Sequence, residues 1–101
     1  MIKFALLANL VAKPGKEQEL QTFLTSAAAT AQQEPHTINW YSFKINASTF
    51  GIFDTFEAEE GRQEHLKGEI AKVIMEKASE WLASPPVIEQ LDILGTKLVK
   101  V

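Results

Sequence analysis

Two polar side chains, Asn9 and His65, are the best candidates for chemistry in otherwise apolar surroundings. Asn9 interrupts an apolar run, and its amide could hydrogen-bond a ligand oxygen and stabilise developing negative charge. His65 could accept a proton near neutral pH, as its ordinary pKa of about 6.5 suits a general base. Each has a structural alternative: Asn9 could bond backbone or water, and His65 could bond a carbonyl at a helix surface.

The stretch 49–66 predicts a strand that leads into a helix, and this helix carries His65. Side chains of a strand alternate between its faces, so every second residue from Phe50 to Phe56, Asp54 included, shares one face. Gly51, Phe53 and Thr55 share the other. The acidic residues that follow suit a helix start, because carboxylates are stabilised near exposed amide groups and the positive end of the helix dipole.

The rest of the chain predicts further strands and helices around the segment 49–66. Apolar residues at helical spacing predict a helix after Pro14-Gly15, and Gly68 predicts a break in the second helical region because glycine weakens helix interiors. The predicted elements are a strand at 3–12, a helix at 16–33, strands at 38–45 and 49–56, helices either side of residue 68 up to 82, and a strand at 87–94, with an extended tail at 96–101.

This order predicts an α+β, ferredoxin-like βαββαβ fold, in which helices cover one face of an antiparallel sheet. With 101 residues the chain should form a single domain, residues 1–101. The first and last strands are apolar on both sides, so the uncovered face needs a partner. We therefore expect a homodimer with the sheets face to face, with the tail reaching over the partner.

Composition argues against several classes of partner. The formal net charge is −3 and the lysines are scattered, which gives no electrostatic footprint for nucleic acid or an anionic membrane. No apolar run approaches the length of a membrane span, and the start lacks the features of a signal peptide. The chain has no cysteine, which excludes disulfides and thiolate metal sites and fits a cytoplasmic location.

Several local motifs together resemble the antibiotic biosynthesis monooxygenase family, whose members are dimeric α+β barrels. The segment 11–16, followed by Glu19-Leu20, is similar to the family's first strand-to-helix junction, and Glu34-Pro35 is similar to its Glu-Pro-Gly. The family's Tyr-Glu-x-Trp, followed nine residues later by His-Leu, is matched by 53–56 and His65-Leu66. The resemblance covers nearly the whole chain.

The resemblance implies oxygen insertion into an electron-rich aromatic, such as a quinol or a polyketide phenol, without metal or flavin. Phe53 and Phe56 occupy the motif's tyrosine and tryptophan positions, and Phe53 therefore cannot donate a proton. Heme-degrading relatives also have an asparagine in the first strand, but their histidine ligand is missing from 73–76 here, so heme degradation is disfavoured. A non-catalytic ligand-binding or stress-related dimer of the same fold is the main alternative.

The expected pocket lies between sheet and helices, with Asn9 and His65 as catalytic groups. Tyr41 could donate a hydrogen bond there if it faces the pocket, and Trp40 must then face the opposite way. Trp81 could stack on an aromatic substrate, although its helical spacing favours core packing. The candidate substrate-binding residues are Tyr41, Phe53, Phe56 and Trp81. His65 and Glu69 could share a metal, but two ligands are a weak signal, so no metal is expected.

Overall fold

The computed structural model describes residues 1–98 and contains four strands and three helices. Their order is the predicted one, with the second helical region divided. The elements are β1 (Phe4–Val11), α1 (Glu17–Ala31), β2 (Asn39–Lys44), β3 (Thr49–Phe56), α2 (Glu59–Leu66), α3 (Glu69–Trp81) and β4 (Val87–Asp92).

The strands form one antiparallel sheet in the order β2-β3-β1-β4. The long strands β1 and β3 lie at its centre, where Leu6 is opposite Asp54 and Asn9 is opposite Gly51. This is the ferredoxin-like α+β arrangement, and the predicted fold class is confirmed.

The core lies between one face of the sheet and the helices. Leu10, Phe50 and Ile52 supply the sheet side, and Leu20 and Ile74 are among the buried helix residues that pack against them. The apolar stripe of α1 is buried because its apolar residues recur every three to four positions. Burial of these side chains is the main source of stability for this layer.

The predicted break near Gly68 separates two helices. α2 ends at Leu66, and α3 begins at Glu69 after Gly68 in an extended conformation. α2 buries only Gly61, Arg62 and His65. The two helices therefore contribute different surfaces to the space above the sheet.

The opposite face of the sheet is largely open. Tyr41 and Val87 are 57% and 55% exposed, and Asn9 is also exposed. Phe43 lies across Gly51, where an added Cβ would come within 2.5 Å of the phenylalanine ring. Glycine at position 51 is what lets this ring lie close against the sheet.

The segment after β4 has no regular secondary structure from residue 93 to 98, and Leu94 is 99% exposed. The last three residues of the expected tail, 99–101, lie outside the described residues. No helix within residues 1–98 is long and apolar enough to cross a membrane.

Candidate functional site

A buried carboxylate and a buried imidazole meet above the centre of the sheet. Asp54 on β3 is 1% exposed, and its Oδ2 lies 2.7 Å from Nε2 of His65 on α2. Asp54 is buried because it alternates with Ile52 and Phe56 on the helix-covered face of β3. A buried charge is tolerated only when it is paired, and His65 supplies the partner.

Glu34 contacts the other nitrogen of the same ring. Its Oε1 lies 2.7 Å from Nδ1 of His65 and also accepts a hydrogen bond of 2.7 Å from Oγ1 of Thr37. Glu34 follows α1 in the turn before β2, and its side chain is 20% exposed. The imidazole is thus held between two carboxylates, one from the sheet and one from the turn.

Two contacts of α2 place His65 at this position. The buried Arg62 donates through Nη1 to the carbonyl oxygens of Ala5 and Leu91, which fastens the helix across β1 and β4. At Gly61, an added Cβ would lie 2.9 Å from Cβ of His36. Glycine therefore allows α2 to approach the turn that carries Glu34.

The surroundings favour the charged form of His65. Burial opposes its charge, but the close contact and negative charge of Asp54, together with the hydrogen bond and charge of Glu34, outweigh this effect and raise the pKa of His65. An imidazolium donates from both nitrogens, which matches two carboxylate partners. The imidazolium has no lone pair, so only the neutral form of His65 could act as the general base that the sequence predicts.

Asp54 is the better candidate for a base. Burial raises the pKa of Asp54, and the neighbouring His65 opposes part of that rise. Among residues 1–98, its Oδ1 has no hydrogen-bond partner, and the 2.7 Å contact of Oδ2 with His65 is an ion pair without the alignment of a good hydrogen bond. The carboxylate therefore has an oxygen available to accept a proton.

Asp54 is one of the residues that line a small apolar pocket between the sheet and the helices. The volume of the pocket is about 40 Å³, and among the described residues 1–98 its titratable lining residues are Asp54 and His65. At its periphery lie Met75 and Ile88, which are 61% and 42% exposed. The other lining residues are apolar and include Leu6, Ala8, Leu10, Ile52, Ile70 and Ile74. An apolar molecule that carries one hydrogen-bond donor would match this lining, because its donor could contact Asp54.

His65 also lines a second cleft on the outer side of α2, and most residues around this cleft are of polar types. This cleft has a volume of about 260 Å³ and includes Glu34, Glu64 and Glu69. In it, Nδ1 of His36 lies 2.6 Å from Oε2 of Glu64, with both side chains about 60% exposed. The molecule thus contains one buried and one exposed histidine–glutamate pair only a short distance apart.

Asn9 does not join His65. It is exposed on the open face of the sheet, opposite Gly51, whereas His65 contacts the helix-covered face. The expectation that Asn9 is buried and shares a pocket with His65 is wrong, because β1 is apolar on both faces and its pattern does not identify the covered one. A catalytic role for Asn9 stays a prediction.

The four predicted substrate-binding residues are also dispersed. Tyr41 and Phe53 lie on the open face, where they are opposite each other in the β2–β3 pairing. Phe56 is fully buried, with its ring centroid 5.6 Å from that of His65. Trp81 packs against Phe23, with ring centroids 5.3 Å apart, at the edge of the core. None of the four lines the Asp54 pocket.

Sequence reasoning missed Asp54 and Glu34 as site residues. A signal for Asp54 was present, since it is the one charged residue among the large apolar side chains of its strand face. Glu34 gave no comparable signal, because a glutamate before proline is an ordinary turn residue. No group of three potential ligands within residues 1–98 could hold a metal ion.

Comparisons with solved structures place this geometry among known folds. The protein of unknown function NE2512 from Nitrosomonas europaea has 46% sequence identity and a TM-score of 0.95, covering 100% of this chain and 98% of that one. A "putative antibiotic biosynthesis monooxygenase" from Caulobacter crescentus has 18% identity and a TM-score of 0.78, covering 93% and 92%. An antibiotic biosynthesis monooxygenase has 12% identity and a TM-score of 0.78, covering 91% and 99%.

No protein-family model and no curated protein matches the chain. The similarity to NE2512 extends over both chains and is high enough to establish common family membership, whereas the similarity to the monooxygenases establishes a common fold. The chain therefore belongs to the same family as NE2512 of Nitrosomonas europaea, and it has the fold of the antibiotic biosynthesis monooxygenases.

Proposed function

We propose that the protein is a cofactor-independent monooxygenase that oxidises a quinol or a polyketide-like phenol with O₂. The observation that carries the proposal is the buried Asp54 in the lining of an apolar pocket, with an Oδ1 that has no hydrogen-bond partner among residues 1–98. The fold shared with antibiotic biosynthesis monooxygenases supports the same chemistry.

The first step is transfer of the phenolic proton to Asp54. A phenol is a weak acid, so a carboxylate whose pKa is raised by burial is a stronger base toward it than an ordinary aspartate. His65, held 2.7 Å behind Asp54, keeps positive charge near the developing phenolate. The phenolate is more easily oxidised than the phenol.

Oxygen then reacts with the electron-rich ring. One atom of O₂ bonds to a ring carbon and becomes the new carbonyl oxygen, and the other leaves as water. For a naphthol, naphthol plus O₂ gives naphthoquinone plus water, and the substrate supplies all four electrons. Asp54 would return the phenolic proton to the oxygen atom that departs, and the hydrogen lost from the oxidised ring carbon as its C–H bond breaks supplies the second proton of the water. The apolar walls exclude bulk water from the intermediates.

The size of the pocket limits how a ring enters. Its volume is about 40 Å³, whereas an apolar cavity of about 150 Å³ holds benzene. Met75 and Ile88 are exposed residues at its periphery, and methionine is flexible. A ring therefore requires these side chains to move, and Met75→Ala should admit larger rings than Met75→Leu.

The small pocket also favours a second candidate, a protein that binds a small hydroxylated molecule without converting it. Such a ligand would donate its hydroxyl to Asp54 without leaving room for O₂ beside a ring. This candidate predicts saturable binding of phenols that weakens in Asp54→Asn and occurs without O₂ consumption.

Oxygen uptake by metal-stripped protein tests the proposed function. Over a panel of hydroquinones and naphthols, wild-type protein should exceed the spontaneous rate, and Asp54→Asn should lose most of the acceleration, about 100-fold or more. Asp92→Asn, which changes the other aspartate of the chain at an exposed position, should retain it. No acceleration with any substrate would refute the monooxygenase, and full activity in Asp54→Asn would refute the base.

We also propose that two copies pair through their open sheet faces. Tyr41, Phe43 and Val87 leave apolar surface exposed on this face, and a second copy presenting the same surface would bury it symmetrically. The pairing lies on the side of the sheet away from Asp54. Dimer formation and the chemistry of the pocket are therefore separable by mutation.

A further inference from the structure

The ion pair between Asp54 and His65 does not explain why a second carboxylate, that of Glu34, contacts the same imidazole. His65 faces Asp54 from β3 and Glu34 from the turn after α1, each at 2.7 Å. In the proposed reaction, Asp54 accepts a proton and loses its negative charge. His65 would then lose one of the two groups that stabilise its own charge, and Glu34 would be the one that remains.

We propose that Glu34 is a positioning residue that holds His65 as an imidazolium while Asp54 is protonated, so that positive charge stays beside the ligand oxygen throughout proton transfer. This inference rests on the proposed function for its catalytic meaning. The control of the charge of His65 by Glu34 is a property of the free protein and can be tested without a substrate.

The geometry supports a fixed role for Glu34. The same oxygen, Oε1, receives hydrogen bonds from Thr37 and His65, which restricts the carboxylate to one orientation. Its side chain is 20% exposed, against 60% for Glu64. Because water screens the Glu34–His65 pair less, its charge should act more strongly on His65 than an exposed carboxylate does.

The other charged groups near the His65 ring either pair with another residue or line the outer cleft. Glu64 precedes His65 on α2 and pairs with His36 of the turn, and Glu69 at the start of α3 lines the outer cleft. Phe56 provides an aromatic neighbour without charge. Glu64 is therefore a matched control, since it is a glutamate of the same cleft that contacts the other histidine.

The test uses Asp54→Asn as an imitation of protonated Asp54. Asparagine has nearly the same shape, carries no charge, and can still accept from Nε2. The chain has two histidines, so nitrogen NMR of histidine-labelled protein should give two sets of ring signals, which His36→Asn assigns. The protonation of His65 is followed against pH in Asp54→Asn, Asp54→Asn/Glu34→Gln and Asp54→Asn/Glu64→Gln.

Glu34→Gln should lower the proton affinity of His65 about tenfold or more in the Asp54→Asn background, because it removes an opposite charge in direct contact. Glu64→Gln should leave it nearly unchanged. Equal titration of His65 in the two double variants would overturn the inference. If a double variant does not fold, the comparison of Glu34→Gln with Glu64→Gln in the otherwise wild-type chain decides in the same way.

Oxygen uptake separates this inference from the proposed function. If wild-type protein accelerates uptake, Glu34→Gln should lower the rate and narrow its pH range at the alkaline side, whereas Glu64→Gln should not. If no phenol is oxidised but the NMR result holds, the monooxygenase fails and the control of His65 by Glu34 stands. If uptake occurs but His65 titrates alike in both variants, the enzyme stands and the inference fails.

Discussion

A polar residue has opposite surroundings on the two faces of the sheet. On the helix-covered face, Asp54 is 1% exposed, is paired with His65 and lines an apolar pocket. On the open face, Asn9 is exposed and lies opposite Gly51. The covered face concentrates charge where water is excluded, whereas the open face offers an extended apolar surface with little charge. The first suits chemistry on a small molecule, and the second suits contact with a large one.

The largest expected effect separates the buried imidazole from the exposed one. His65→Ala leaves Asp54 buried without its partner and should destabilise the fold by about 3 kcal/mol at neutral pH. His36→Ala removes an exposed pair and should cost less than about 1 kcal/mol. Chemical denaturation of the two variants measures the difference, and similar losses would show that the buried pair has no special importance.

The next effect tests how closely side chains pack on the open face. Gly51→Ala would place a Cβ 2.5 Å from the Phe43 ring and 2.8 Å from the Ala8 carbonyl oxygen. Because the second contact is with backbone, we expect a loss of about 2 kcal/mol in unfolding free energy. Gly95→Ala, where an added Cβ contacts nothing, is the control. Equal stability of both variants would mean that Phe43 moves aside freely.

A pH effect of intermediate size should come from Asp54 and His65 on the covered face. The raised pKa of His65 means that the folded state holds its proton more tightly than the unfolded state. This stabilisation is complete below about pH 6.5 and is lost as the pH rises through the folded pKa. The raised pKa of Asp54 acts in the same direction, from its ordinary value of 3.8 upward.

The unfolding free energy should therefore fall with rising pH, by at most about 1.4 kcal/mol per pH unit for each proton. Denaturation at a series of pH values measures this change of unfolding free energy with pH. His36→Gln is the control and should show the same change as the wild-type protein. A stability that increases from pH 7 to 9 would contradict the assigned directions.

The smallest effect on the fold is expected at the open face. Tyr41→Lys should change the stability of one subunit by no more than about 0.5 kcal/mol, because Tyr41 is 57% exposed. It should nevertheless place like charges across the proposed contact between two copies and halve the mass in solution. Gln18→Lys on α1 adds the same charge elsewhere and should leave the mass unchanged. A wild-type monomer at micromolar concentration would refute the dimer itself.

These two faces also show how far sequence reasoning reached. The element order, the boundaries of β3 and the break at Gly68 followed from periodicity, because alternation and glycine placement are local signals. The pocket was misassigned because Asn9 lies in a strand that is apolar on both faces. Contact of Glu34 with His65 joins residues 31 positions apart, and it depends on the close approach of α2 to a turn, which no local pattern encodes.

The break at Gly68 places the charged His65 and the apolar wall of the pocket on two different helices. His65 belongs to α2, which Arg62 fastens to β1 and β4, whereas Ile70, Ile74 and Met75 on α3 shape the apolar wall. Substitutions on α3 can alter which molecules fit without disturbing the charged groups. On the proposed function, substitutions on α3 would therefore change the range of ligands while Asp54, His65 and Glu34 keep their places.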